Sequence, residues 1–282
     1  MKLVSYRNKG TDGFGVVAGN GVVEAGARLG GKYADLRAAI AAGALGELAK
    51  TVAGKAGDVG LDQIEHRPPI AFADKIICVG LNYETHRVET GRDKSEKPVL
   101  FTRFNDSHVG HGQPMIKPRN SERYDYEGEL VAVIGKSGRH ISEADSLKHI
   151  AGYACYNDGS VRDWQRHTHQ FTPGKNFPRS GAFGPWLVTS DEIPDPSKLV
   201  LMTRLNGQEV QKAPTDHMIF NVPYLISYIS QFTTLNPGDL IVTGTPGGVG
   251  DRRTPPLYMK PGDTCEVEIT GIGILRNPIA GE

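Results

Sequence analysis

No stretch of this 282-residue chain approaches the roughly 18 to 20 consecutive apolar residues that a membrane-spanning helix needs. Its opening, MKLVSYRNKGTDG, also lacks the apolar stretch of a secretory signal. The expectation is a cytoplasmic protein with no membrane partner. Neither sign of charge is in excess: 32 Lys and Arg balance 32 Asp and Glu, so nothing recommends a nucleic acid, and a small molecule is the default partner. Cysteine is scarce. Cys78, Cys155 and Cys265 are odd in number and widely spread among apolar or strand-like neighbours, which argues against a disulfide framework and for reduced, structural thiols. No C-x-x-C or H-E-x-x-H offers a zinc site.

What the chain does have is a series of short strand-like runs. KLVSY, FGVVAG and GVVEAG precede LRAAIAAGALGELAK, whose leucines and alanines recur at helical spacing. The proline pair in HRPPI, His66 to Ile70, then stops regular structure. This predicts a small N-terminal α+β domain over residues 1–69. From 70 to 282, KIICVG, PVLFTRF, ELVAVIG, GPWLVT, KLVLMTRLNG, DLIVTG and TCEVEITGIG read as strands, with helices mainly at SEADSLKHI and NVPYLISYIS. The class is mixed α/β and β-rich, a strand core with peripheral helices rather than a regular βαβ alternation.

Within that core, E-G-E-L-V-A-V-I-G sets Glu127, Glu129, Val131 and Val133 on one strand face. Like charges two residues apart repel, and sharing a face with apolar residues makes them costly to bury. A divalent cation would turn the repulsion into binding, whereas a solvated strand end would simply relieve it. Asp158, in the loop-like CYNDGSVRDWQ, supplies a third carboxylate, and three carboxylates plus waters suit magnesium or manganese.

In CVGLNYETHRVETG, a helix capped near Asn82 would place His86 and Glu89 three apart on one face. There the carboxylate can hold the imidazole in one tautomer as a base for water, although an ordinary surface pair has the same spacing. Arg162 and Gln165 in RDWQ, with Lys175 in PGKNFPRSGAFGP, can bind a carboxylate and stabilise an oxyanion if the fold gathers them; each also has an ordinary surface explanation. GDLIVTGTPGGVG enters a glycine-rich turn around Thr245 and Pro246 that is neither a Walker loop nor a G-x-G-x-x-G helix start. Its N–H groups suit an anion, or the turn is only a tight connection between strands.

Five motifs in order carry a resemblance. G-L-N-Y-x-x-H-x-x-E (Gly80 to Glu89), D-Y-E-G-E-L (Asp125 to Leu130), N-D-x-S-x-R-D-W-Q (Asn157 to Gln165), G-K-N-F (Gly174 to Phe177) and G-T-P-x-G-V-G (Gly244 to Gly250) resemble the fumarylacetoacetate hydrolase superfamily over roughly residues 70 to 280. The resemblance implies a β-roll catalytic domain, a mixed β-sandwich roll, behind a small N-terminal domain, and usually a homodimer. It further implies that Glu127, Glu129 and Asp158 hold magnesium or manganese and that His86 and Glu89 form a water-activating dyad covering the ligand. Lys175 would lie near the substrate, with Arg162, Gln165 and Thr245 touching it. Arg103, where many members have lysine, and the histidine- and arginine-rich HTHQFTPGKNFPRSGAFGP depart from the pattern, and both bear on which substrate is taken.

The expected activity is metal-dependent hydrolysis of a carbon–carbon bond in a β-diketo acid, of the acylpyruvate, fumarylpyruvate or diketo sugar acid kind. A decarboxylase or an isomerase of an unsaturated 2-keto acid would use the same metal–enolate platform without an attacking water. An idle ligand-binding protein on this fold would use neither.

Overall fold

In the computed structural model, which describes residues 1–282, the run GELVAVI forms a strand in which every residue is buried. A continuous apolar run suits a strand covered on both faces. This one divides two cores: Leu130, Ala132 and Ile134 pack into the larger, Val131 and Val133 into the smaller.

The N-terminal strands are β1 (Lys2–Asn8), β2 (Thr11–Ala18), β3 (Gly21–Val23), β4 (Val59–Gly60) and β5 (Glu65–Arg67). β6 (Ile76–Gly80), β7 (Val99–Thr102), β8 (His108–Val109), β9 (Met115–Lys117), β10 (Tyr124–Asp125), β11 (Gly128–Ile134), β12 (Ile150–Asn157) and β13 (Ser160–Val161) follow. The last are β14 (Gly181–Thr189), β15 (Val200–Leu205), β16 (Gln208–Pro214), β17 (Leu240–Val242), β18 (Thr264–Ile269) and β19 (Gly273–Gly281). One large sheet runs β4-β3-β2-β1-β14-β12-β11-β17-β6-β7, with β5 added on β1 and β8 on β14. Its pairs are antiparallel except β17 with β6 and β14 with β8. A second sheet, β16-β15-β18-β19-β9, closes over the larger core, and β10 pairs with β13 in a short ribbon. The strand-rich mixed α/β class read from the sequence is the one observed.

The first 69 residues supply β1 to β5 and the helices α1 (Ala25–Arg28), α2 (Leu36–Ala41) and α3 (Leu45–Val52). The alanine-rich stretch makes two helices because Gly43, at φ 69°, turns the chain between them. β1 pairs with β14, setting Leu3 opposite Leu187, and Leu36, Ile40 and Leu48 share the smaller core with Cys78 and Val131.

The remaining helices are α4 (Glu84–Thr90), α5 (Glu143–Ser146), α6 (Arg162–Gln165), α7 (Thr172–Lys175) and α8 (Val222–Phe232). None is long and apolar enough to cross a membrane. Asn82 does not cap α4, contrary to the expectation from its residue type; Tyr83 holds that position. The Asn82 side chain is buried, and a buried amide needs partners at both ends. It finds them across the fold, donating to the carbonyls of Phe220 (2.9 Å) and Thr243 (2.7 Å) and accepting from the Phe220 N–H (2.8 Å). These bonds anchor the start of α4 beside the end of β17.

Candidate active site

Register brings the carboxylates together. β11 and β12 pair antiparallel with Gly128 opposite Asn157, so the head of one strand lies beside the end of the other. Asp158, the next residue, donates its N–H to the Glu127 carbonyl at 2.8 Å. Carboxylate oxygens of Glu127, Glu129 and Asp158 all lie within 4.8 Å of one another. Glu127 is 5% exposed and Glu129 1%, so the solvated strand end is ruled out. Gly128 between them has to be glycine: an added Cβ would sit 2.1 Å from Oγ1 of Thr203 on the second sheet.

Buried anions require partners. Lys175 Nζ donates to Glu127 (2.7 Å) and Asp158 (2.6 Å). Arg162 pairs with Glu127 at 2.6 Å, donates from Nε to Asp125 at 2.8 Å and reaches the Gln165 side-chain oxygen at 3.0 Å. Burial alone would raise the Glu127 carboxyl, but Lys175 and Arg162 outweigh it and hold the group below the usual carboxylate range. Glu129 has no such cation. Its hydrogen-bond partner is the Gly244 N–H at 2.5 Å, and burial together with the charges of Asp158 and Glu127 pushes its pKa well up.

The buried cluster thus sets four carboxylates, Asp125, Glu127, Glu129 and Asp158, against three cations, Arg103, Arg162 and Lys175. With all four ionised it is one positive charge short, and the raised pKa of Glu129 is the expression of that deficit. Three converging carboxylate oxygens with that deficit fit a hard dication, for which opposite ligands stand about 4.2 Å apart at magnesium–oxygen bonds of about 2.1 Å. The triad can therefore take a divalent metal.

His86 and Glu89 lie on α4, where the helix covers the cleft. His86 is buried, and its Nδ1 stands 2.7 Å from Glu89. The other Glu89 oxygen accepts from the Gly248 N–H at 2.8 Å, and Thr85 Oγ1 accepts from Gly247 at 3.1 Å, so α4 is docked on the glycine-rich turn. His86, Glu127, Glu129, Arg162, Gln165, Lys175 and Thr245 line one cleft. Asp158 and Glu89 stand behind that lining, each bonded to a residue on it. The Thr245 hydroxyl is also structural, donating to the Gly128 carbonyl (2.9 Å) and accepting from Gln211 (2.8 Å).

Arg103 corrects a reading made from sequence. It does not line the cleft but lies buried behind Asp158, which it meets at 2.5 Å while also bonding Gly159, Ser107 and Ser180. Its five donors hold the carboxylate in place rather than choosing a substrate. Within the histidine-rich segment, Phe171 and Lys175 reach the cleft while His167 and His169 do not; Arg166, just ahead of the segment, also lines it.

Two contributors were missed. Asp125 accepts from the N–H groups of Gly250 (2.8 Å) and Asp251 (3.0 Å) as well as from Arg162, tying the glycine-rich turn to the carboxylate strand. Its parity with Glu127 and Glu129 was a visible signal. Gln211 lies on the second sheet and gave none. At Gly250 an added Cβ would meet the Leu257 carbonyl oxygen at 1.7 Å. Gly250→Ala is expected to cost about 2 kcal/mol as the turn is forced off Asp125, read as a lowered Tm in thermal unfolding.

A strand-rich mixed roll holding a carboxylate triad able to take a divalent metal is the frame of a class of enzymes. Residues 75–280 match the fumarylacetoacetate (FAA) hydrolase C-terminal family, and the chain belongs to it. It is 43% identical over 213 residues to the mitochondrial oxaloacetate tautomerase of Xenopus laevis, covering 75% of this chain and 67% of that protein. Its fold is similar to that of 5-carboxymethyl-2-hydroxymuconate delta-isomerase from Mycobacterium smegmatis, with TM-score 0.79, 30% identity and coverage of 100% and 99%. It is similar also to maleylpyruvate hydrolase from Sphingobium sp. SYK-6 in complex with manganese(II) and pyruvate, with TM-score 0.83, 26% identity and coverage of 100% and 99%. The chain is an enzyme of this family, and its relatives include tautomerases, isomerases and a hydrolase.

Proposed function

We propose that the chain is a divalent-metal-dependent tautomerase that interconverts the keto and enol forms of a small 2-oxo acid. The observation that carries the reading is a buried histidine, His86, paired with the half-buried Glu89 over the same cleft as three buried carboxylates. The relative at 43% identity, named a tautomerase, puts that outcome ahead of hydrolysis.

Magnesium or manganese held by Glu127, Glu129 and Asp158 would supply Lewis acidity toward enolate charge. A carboxylate offers only acceptors, so Glu89 holds the His86 proton on Nδ1 and leaves Nε2 with a free lone pair. Nε2 takes the proton from the carbon beside the keto group, and the protonated imidazole returns it to the oxygen of the enolate. Lys175 and Arg162, both buried, place positive charge near the oxygen where negative charge develops. The bonds from Thr85 and Glu89 to the glycine turn keep α4 over the cleft and limit the entry of water.

Hydrolysis of a β-diketo acid is the second reading, because the same Nε2 can take a proton from water and a hydrolase relative holds manganese and pyruvate. Decarboxylation is a third outcome of the same cleft. Cytoplasmic residence, read from three buried free thiols, and homodimeric assembly belong to the proposal.

Metal-loaded protein mixed with oxaloacetate, and separately with acetylpyruvate, tests these together by following enol absorbance, pyruvate and carbon dioxide. Enol–keto exchange above the buffer rate, with pyruvate and carbon dioxide forming no faster than in metal-containing buffer alone, is the expected result. Acetylpyruvate split into acetate and pyruvate without exchange would make the enzyme a hydrolase. Carbon dioxide would make it a decarboxylase, and no reaction at all would leave a ligand-binding protein.

A further inference from the structure

We propose that Arg252 is the specificity-determining residue of this cleft, binding a second carboxylate at the end of the substrate remote from the acid triad. The inference rests on the 2-oxo acid reading above.

Two arginines follow the glycine-rich turn, and their employment differs. The Arg253 guanidinium turns into the fold, donating to the Tyr126 hydroxyl (3.1 Å) and to the carbonyls of Gly248 (3.2 Å) and Val210 (2.6 Å). Arg252 lines the cleft, and its one acidic neighbour is Asp251, with Nε 3.6 Å from Oδ2. That distance is beyond hydrogen bonding. Asp251 is also already occupied: Arg166 donates to both of its oxygens, and the Tyr258 hydroxyl donates to Oδ1 at 2.8 Å. The terminal nitrogens of Arg252 therefore face the cleft with no protein acceptor.

Arg92 adds to the same field. Gly91, at φ 67°, turns the chain at the end of α4, and Arg92 lines the cleft with its guanidinium unpaired. The mouth thus carries Arg92, Arg166 and Arg252 against one carboxylate, Asp251, and so favours an anionic tail. A 2-oxo acid head bound at the triad leaves its tail among unpaired guanidinium groups, and the planar fork of arginine matches a carboxylate better than it matches any neutral tail. Arg252 is placed to fix that contact because its turn is rigid: the N–H groups of Gly250 and Asp251 both donate to buried Asp125. Arg92, by contrast, rides on α4.

Oxaloacetate and 2-oxobutanoate share the 2-oxo head and the four-carbon length and differ in the terminal carboxylate. Calorimetric titration of manganese-loaded protein is expected to give a preference for the diacid of about tenfold or more, the worth of one charged hydrogen-bonded pair at a half-exposed site. Arg252→Met should shrink that preference ratio about tenfold, and Arg252→Lys should retain part of it. A ratio unmoved in the methionine variant, or no preference in the wild type, overturns the assignment even if enol–keto exchange is catalysed. A ratio that moves as expected in a protein with no exchange activity upholds Arg252 and sinks the tautomerase reading instead. Binding of neither acid overturns both.

Discussion

Glu129→Gln is expected to weaken manganese binding by about 100-fold or more and, in the same protein treated with chelator, to raise the Tm. The two effects have one origin. Glu129 is the carboxylate of the triad that lacks a cation, being held by a backbone N–H while Glu127 and Asp158 share Lys175. Glutamine keeps the oxygen that accepts from Gly244 and is neutral without having to take up a proton, so it escapes the cost of burying Glu129 and should stabilise the metal-free chain by about 1 to 3 kcal/mol near neutral pH. Loss of a charged ligand oxygen lowers affinity for the dication by more than the 10- to 100-fold typical of residues that merely orient a ligand.

The pH dependence has a definite sign. The metal-free folded chain keeps a proton on Glu129 that the unfolded chain releases near the ordinary value of 4.5. Stability from this group therefore falls as pH rises from about 4.5 toward the raised folded value, and the glutamine variant lacks that fall. Manganese titration and thermal unfolding across pH, both in buffered chelator controls, check the pair of effects. Wild-type metal affinity in the variant would show that Glu129 is no ligand, and a lowered metal-free Tm would show that its charge is already balanced.

Strand parity alone located Glu127 and Glu129, since residues two apart on an extended chain share a face. The same parity marks Asp125, but it stands ahead of the apolar run, on a separate two-residue strand. Asp158 is marked by its loop-like setting after an apolar run, but nothing local says that it meets the two glutamates. Its place beside Glu127 depends on Gly128 pairing with Asn157 across β11 and β12, a register that no single segment contains. Arg103 shows the converse error: its identity was visible, but an arginine in a strand-like run says nothing about which way it points, and it points into the fold at Asp158. Asn82 was misread for a similar reason. Cap propensity describes an isolated helix, whereas burial gave this amide better partners in Phe220 and Thr243. Gln211 reaches Gly128, Thr245 and Pro246 from the second sheet, so its role exists only once the two sheets pack.

His86→Asn and Glu89→Gln are each expected to lower turnover about a thousandfold while leaving manganese affinity within about threefold of wild type. The histidine variant removes the base. The glutamine variant is the more searching of the two, because it leaves every heavy atom in place. In the native cleft one Glu89 oxygen accepts from the Gly248 N–H, and the other faces His86 Nδ1. A glutamine must keep its oxygen toward Gly248, which turns its NH₂ group toward Nδ1. Nδ1 then becomes the acceptor, the ring proton moves to Nε2, and the nitrogen facing the substrate can no longer take a proton. If Glu89 served only to fasten α4 to the glycine turn, the glutamine side chain would fasten it too, and the rate would survive. A Glu89→Gln enzyme that exchanges keto and enol forms at the wild-type rate would therefore exclude His86 as the base, whichever reaction the cleft performs.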